Sequence, residues 1–229
     1  MKITYWSDYA CPYCYIGEVR VKKALAELGI DCELEMKAFQ LDPTAGVHAE
    51  SDTVTRFAKK YGLSEENAAA QIDHISQLGR EEGIDFKYAT TLFTNTMDAH
   101  RLTKLAQSKS NLIADKLSER LYDAYFTKNL ELADKVLLAE IAADCGLEKS
   151  EVDEVLSSDK YEDEVLLDER EAARYGIHAV PYFVINGRYA ISGAQPREVI
   201  KPALVKIQSE EQAEQPSEGA HCGPDGCHF

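Results

Sequence analysis

Residues 7–17 read SDYACPYCYIG, with Cys11 and Cys14 enclosing Pro12-Tyr13. The stretch follows a short β-rich run, Lys2 to Trp6 (KITYW). After it, Ile16, Val19, Ala24, Leu25 and Leu28 recur at helical spacing, and Gly29 marks a stop. Pro12 suits the first helical turn, where its missing N–H would be an orphan in any case. Cys32 to Phe39 (CELEMKAF) then alternates apolar and polar residues, which is a strand pattern ended by Leu41-Asp42-Pro43. The spacing therefore predicts strand, helix, strand, with both cysteines at the strand-to-helix turn.

That position bears on the chemistry. A thiolate, not a thiol, attacks a disulfide. A cysteine at a helix start meets unpaired backbone N–H groups and the positive end of the helix dipole, and both favour the anion. Cys11 is placed there, and Cys14 lies one turn on. Attack by Cys11 gives a mixed disulfide, and attack by Cys14 resolves it. The split requires Cys11 to be the more exposed thiol.

Residues from about 50 to 175 show successive helical patterns: 52–62, 64–82, 97–108, 111–127, 134–145, 149–157 and 159–175. Strand signals return at Tyr182 to Ile185 (YFVI). Asn186-Gly187 is a type I′ hairpin signal, and Tyr189 to Ile191 supply the partner strand. A last helix is expected over 196–208. The β material at the two ends must pair to bury its apolar faces. This is an α/β chain: a discontinuous β-containing part (1–45 and 176–208), a large all-helical insertion (46–175) and an acidic flexible tail (209–229). Val180-Pro181 enters the returning strand. Its peptide bond is a candidate for cis, which would leave the backbone groups of Val180 open to a docking substrate. A plain strand-initiating proline is the other reading.

The chain has 229 residues and a formal net charge of −15, so a basic nucleic-acid-binding face is not expected. No stretch approaches about 18 consecutive apolar residues, so no membrane span is expected. The N-terminus lacks a signal-type apolar region, which makes the cytoplasm the expected compartment. There the six cysteines should stay reduced unless they turn over catalytically.

CPYC after an N-terminal strand, a long helical insertion and VPYFVING…SGAQP near the end together resemble the DsbA-type thioredoxin-fold oxidoreductases. The similarity is strongest to their cytoplasmic FrnE-like branch, whose insertion also carries segments like Asn95 to Arg101 (NTMDAHR) and Ala124 to Phe126 (AYF). The resemblance spans about residues 1 to 208. It implies a thioredoxin fold, disulfide exchange without a cofactor, Cys11 as nucleophile, Cys14 as resolving thiol and Pro181 as a cis residue. It further implies a substrate-facing rim of Pro12, Tyr13 and Val180, with Asn95, Asp98, His100 and Arg101 lining the groove. Protein or small-thiol disulfides, glutathione among them, are the expected partners. The same insertion topology also resembles kappa-class glutathione transferases and hydroxychromene-carboxylate isomerases. Those usually carry Ser where Cys11 stands and lack the second cysteine. A third reading is a metal-binding or chaperone-like module that uses the cysteine pairs as ligands.

At the far end, HCGPDGCH places Cys222 and Cys227 around a Gly-Pro-Asp-Gly turn sequence. Three readings compete there: a redox relay to Cys11–Cys14, a metal site, or incidental thiols. Cys32 and Cys145 read as small buried hydrophobes. His48 and His74 read as surface residues and His178 as a loop residue. Tyr9 and Tyr13 are possible groove aromatics.

Pro12-Tyr13 matches the dipeptide of glutaredoxins, not the Pro-His of periplasmic DsbA. Tyr13 cannot supply the cation that a histidine would offer the thiolate. The Cys11–Cys14 couple is therefore predicted at roughly −200 to −230 mV, far from DsbA's roughly −120 mV. Equilibration against a glutathione buffer measures it, and a value above about −150 mV would contradict this reading of the dipeptide.

Overall fold

The computed structural model describes residues 1–214. β1 (Lys2–Ser7) runs parallel to β2 (Glu33–Ala38), with Tyr5 opposite Met36. Parallel strands need a crossover connection, and α1 (Pro12–Leu28) supplies it. On the other side of β1, β3 (Tyr182–Ile185) pairs antiparallel and sets Phe183 opposite Tyr5. β4 (Tyr189–Ser192) completes the order β2-β1-β3-β4. Asn186 and Gly187 both take positive φ (51° and 67°), as a type I′ turn requires, and Arg188 N–H closes the turn on Ile185 O at 3.1 Å.

Strand alternation sorts the apolar side chains between the two faces of the sheet. Ile3, Tyr5, Phe183 and Ile185 join one core with Val21 and Leu25 of α1 and with Ile200 and Leu204 of α9 (Arg197–Glu214). Trp6, Tyr182 and Val184 belong to a smaller cluster with Ala172 of α8 (Glu162–Arg174). The buried indole N–H of Trp6 donates to Asp168 O at 3.0 Å, so the ring is buried without an orphaned donor.

Between β2 and β3 the predicted helices appear as α2 (Thr53–Tyr61), α3 (Glu65–Glu81), α4 (Met97–Lys109), α5 (Asn111–Tyr122), α6 (Lys135–Asp144), α7 (Lys149–Ser157) and α8. Asp52, Ser64, Ser110 and Asp134 each accept a backbone N–H at a helix start, satisfying donors that have no partner within the helix. The segment expected as one helix over 111–127 changes pitch: Asp123–Thr127 form a π turn. Leu102, Leu117, Leu121 and Phe126 continue the core that Ile3 and Tyr5 begin, so the helical insertion and the sheet share one interior.

The C-terminal expectation needs correction. A loose tail was expected from residue 209, but α9 runs on to Glu214. The hairpin holds this extra turn and a half: Asn186 Nδ2 donates to the Glu211 carboxylate and the Tyr189 hydroxyl donates to Glu210. Such long-range partners leave no local pattern to read. Cys222 and Cys227 lie outside the described residues.

Gly79 of α3 sets how closely the insertion packs. A Cβ there would stand 2.6 Å from ring atoms of buried Phe86, which stacks on Phe126 at 4.7 Å between centroids. Gly79→Ala should therefore destabilise by about 1–3 kcal/mol through overpacking, despite alanine's better helix propensity. A urea titration would show a lower midpoint. An unchanged or higher midpoint would mean that Phe86 gives way freely.

Candidate active site

Asp8, in the turn after β1, positions the cysteines. Its carbonyl accepts the Cys11 N–H at 3.0 Å. Its buried carboxylate accepts the N–H groups of Ala10 (3.3 Å) and Leu41 (2.7 Å), tying this turn to the segment that follows β2. Cys11 is then the N-cap residue of α1, in extended conformation (φ −91°, ψ 114°), and its carbonyl accepts the Cys14 N–H at 3.1 Å. The Cys11 side chain makes no cap hydrogen bond. Cys11 thus stands at the N-terminal, positive end of the α1 dipole.

Opposite Cys11 lies the start of β3. The Val180–Pro181 peptide bond is cis, and Cys11 Sγ is 3.7 Å from Val180 O. Pro181 O accepts the Gly193 N–H at 2.8 Å, which anchors the loop from behind. Gly17 lets this loop approach α1, since a Cβ there would stand 2.9 Å from Pro181 Cγ. Arg20 adds a clasp: its Nη1 donates to Ala194 O at 2.8 Å while its Nε bonds Glu82 at 2.8 Å.

The two thiols differ in environment. Both are free; Cys11 is 5 % exposed and Cys14 is 0 % exposed. Burial, followed by the neighbouring Cys11, pushes the Cys14 thiol well above its ordinary range. Cys14 therefore holds its proton at neutral pH.

Cys11, Pro12, Tyr13 and Val180 border a cavity of about 560 Å³. Tyr13 is 40 % exposed, consistent with a rim position. The far wall comes from α2 and α3, with Arg56, Lys60 and His74, and His178 stands near Val180. Among the described residues, no acid borders this cavity. His74 reads from sequence as a surface residue and His178 as a loop residue, and nothing local marks Arg56 or Lys60 as facing a cysteine. The available signal was the basic group Arg56, Lys59 and Lys60 on one short helix of a very acidic chain.

Four residues expected to line the groove are engaged elsewhere. Asn95 Oδ1 accepts the Met97 N–H at 2.8 Å and its Nδ2 donates to Pro43 O at 3.1 Å, so it starts α4 and pins a loop. Asp98 accepts from Arg101 Nη1 at 2.7 Å. Arg101 in turn donates to the carbonyls of Lys160, Val155 and Ser158 and fastens α4 to the end of α7. His100 is 1 % exposed, with Nε2 3.4 Å from Asp8 Oδ1, so it lies under the turn and not on the cavity wall. Tyr9 is likewise buried, its hydroxyl 2.6 Å from Thr103 Oγ1. Cys145 is buried as expected, and its thiol is raised by burial. Cys32 is only half-buried, which pushes its thiol up to about 11.

The sequence pattern of the DSBA-like thioredoxin domain matches residues 2–205. A probable DsbA oxidoreductase of Streptomyces coelicolor is 35 % identical, covers 100 % of this chain and 99 % of its own, and superposes with a TM-score of 0.85. A 2-hydroxychromene-2-carboxylate isomerase (14 % identity, 94 % and 100 % coverage, TM-score 0.69) shares the fold. So does the cytosolic disulfide reductase DsbM of Pseudomonas aeruginosa (16 %, 92 % and 100 %, TM-score 0.62), a protein also solved with GSH. The matched pattern takes in the cysteine turn, the helical insertion and the returning strands, and the protein belongs to the DSBA-like thioredoxin domain family.

Proposed function

We propose that this protein is a thiol–disulfide oxidoreductase in which Cys11 attacks and Cys14 resolves. One observation carries the reading: two thiols share a helix start, one at the cavity wall and the other sealed behind it with a raised pKa. The Cys11 thiolate attacks one sulfur of a substrate disulfide, forms a new S–S bond and releases the other sulfur as a thiolate. Cys14 then loses its proton and attacks Cys11 Sγ. The Cys11–Cys14 disulfide forms, and the second substrate sulfur departs as a thiol. The substrate has gained two electrons and the protein has lost two; a thiol reductant restores the pair, and every step also runs in reverse. The backbone beside Cys11, at Val180, offers hydrogen-bonding groups to an extended substrate as it docks.

The name given to the 35 %-identical Streptomyces coelicolor protein supports this reaction class. DsbM, a cytosolic disulfide reductase solved with GSH, supports small thiols such as glutathione as partners and the cytoplasm as compartment. The four sequence motifs support placement in the FrnE-like branch. A glutathione transferase or isomerase reading would leave the buried Cys14 thiol without a task.

Insulin reduction by dithiothreitol tests the reaction. The protein should accelerate it, and Cys11→Ser should return the rate to the uncatalysed background. Cys14→Ser should instead accumulate a mixed disulfide on Cys11, visible by mass spectrometry. Full activity in Cys11→Ser would sink the proposal.

A further inference from the structure

We infer that Arg56 makes the Cys11 cavity selective for small disulfides that carry a carboxylate. This rests on the exchange reaction proposed above and adds its substrate charge. The chain carries a formal net charge of −15, with 40 acidic residues, yet among the described residues no acid borders the cavity at Cys11. Arg56 and Lys60 face that space from α2, with His74 from α3 and His178 beside Val180.

Arg56 is the residue best placed to read charge. Its guanidinium carbon lies 3.4 Å from the Phe93 ring centroid, so the cation is packed over that ring. Its buried Nε has no hydrogen-bond partner. Among the described residues no carboxylate lies within ion-pair distance of it, whereas Arg20 and Arg101 are both paired. A cation that its own protein leaves without an ion-pair partner is one that an anionic ligand can satisfy. Arg56, with Leu41 and Lys60, also borders a second cavity of about 770 Å³ next to the loop after β2, and that one includes the acids Asp42 and Glu50, so the Cys11 side is the one free of competing acids among the described residues. A carboxylate bound to Arg56 from that side would hold its attached disulfide in the cavity that Cys11 borders. The fixed fork of arginine donates two parallel N–H bonds to a carboxylate, and the positive pole of α1 favours the same charge. A space of this size fits a small molecule.

The test compares three small disulfides: dithiodipropionate (two carboxylates), bis-hydroxyethyl disulfide (neutral) and cystamine (two ammonium groups). The quantity read is the ratio of exchange rates at Cys11 for the anionic and neutral reagents. In the intact protein the ratio should be about tenfold, the worth of one charge-assisted hydrogen bond, with cystamine slowest. It should shrink as salt is added. In Arg56→Met, which keeps an apolar contact for Phe93, the ratio should fall to about one. Arg56→Lys should keep part of it, which also guards against a folding defect in the Met variant. Lys149→Gln, on α7 and paired with Asp153, should leave the ratio unchanged. An equal ratio in the intact protein and Arg56→Met would overturn this inference and leave the exchange reaction standing. A shift in Lys149→Gln as large as in Arg56→Met would also overturn it, because overall charge would then set the selectivity. Exchange with none of the three above the Cys11→Ser background would overturn the reaction and the inference together.

Discussion

The structure depends on how Asp8 closes the turn between β1 and α1. One short residue binds the N–H of Cys11 through its carbonyl and the N–H groups of Ala10 and Leu41 through its carboxylate. These bonds stop the strand, start the helix and fasten both to the segment following β2. His100 Nε2 stands 3.4 Å from this carboxylate without a hydrogen bond to it. The thiols are placed by backbone hydrogen bonds on rigid elements, and the Cys11 side chain is left free of a capping duty. A site built in this way holds its geometry without a dedicated ligand.

From this constraint follows the inequality between the thiols. One helical turn separates Cys11 from Cys14, and that turn carries the second sulfur from the cavity wall into the core. Aromatic packing seals it there: Tyr15 stacks on Tyr122 at 4.8 Å with rings 3° from parallel, and the Tyr122 hydroxyl lies 2.6 Å from Ser7 Oγ. The helical insertion thus forms the floor beneath the cysteines as well as the far wall of their cavity. The charge pattern follows the same division. Acidic residues elsewhere give the chain its negative balance, while the wall facing Cys11 bears cations from α2.

Much of this was legible in the sequence because it rests on local signals. Pro12 and the spacing from Ile16 to Leu28 announce α1, Asn186-Gly187 announces the hairpin, and alternation marks β1 and β2. What escaped is what tertiary contact decides. The NTMDAHR segment reads as a groove lining, but Asp98 and Arg101 spend their charge on each other and on the carbonyls that end α7. Arg56 reads as one cation on an amphipathic helix, and only the fold shows that it faces the space beside Cys11. The π turn at Asp123–Thr127 and the anchoring of Glu210 and Glu211 likewise depend on partners distant in sequence.

The central claim is that Cys11 is the thiol presented to substrate and Cys14 the one withheld. Brief alkylation of the reduced native protein with iodoacetamide at pH 7, with each cysteine mapped by peptide mass, tests it directly. The account predicts Cys11 labelled at least about tenfold faster than Cys14, with Cys14 reacting only after unfolding. Labelling of Cys14 as fast as Cys11 in the folded protein would contradict it.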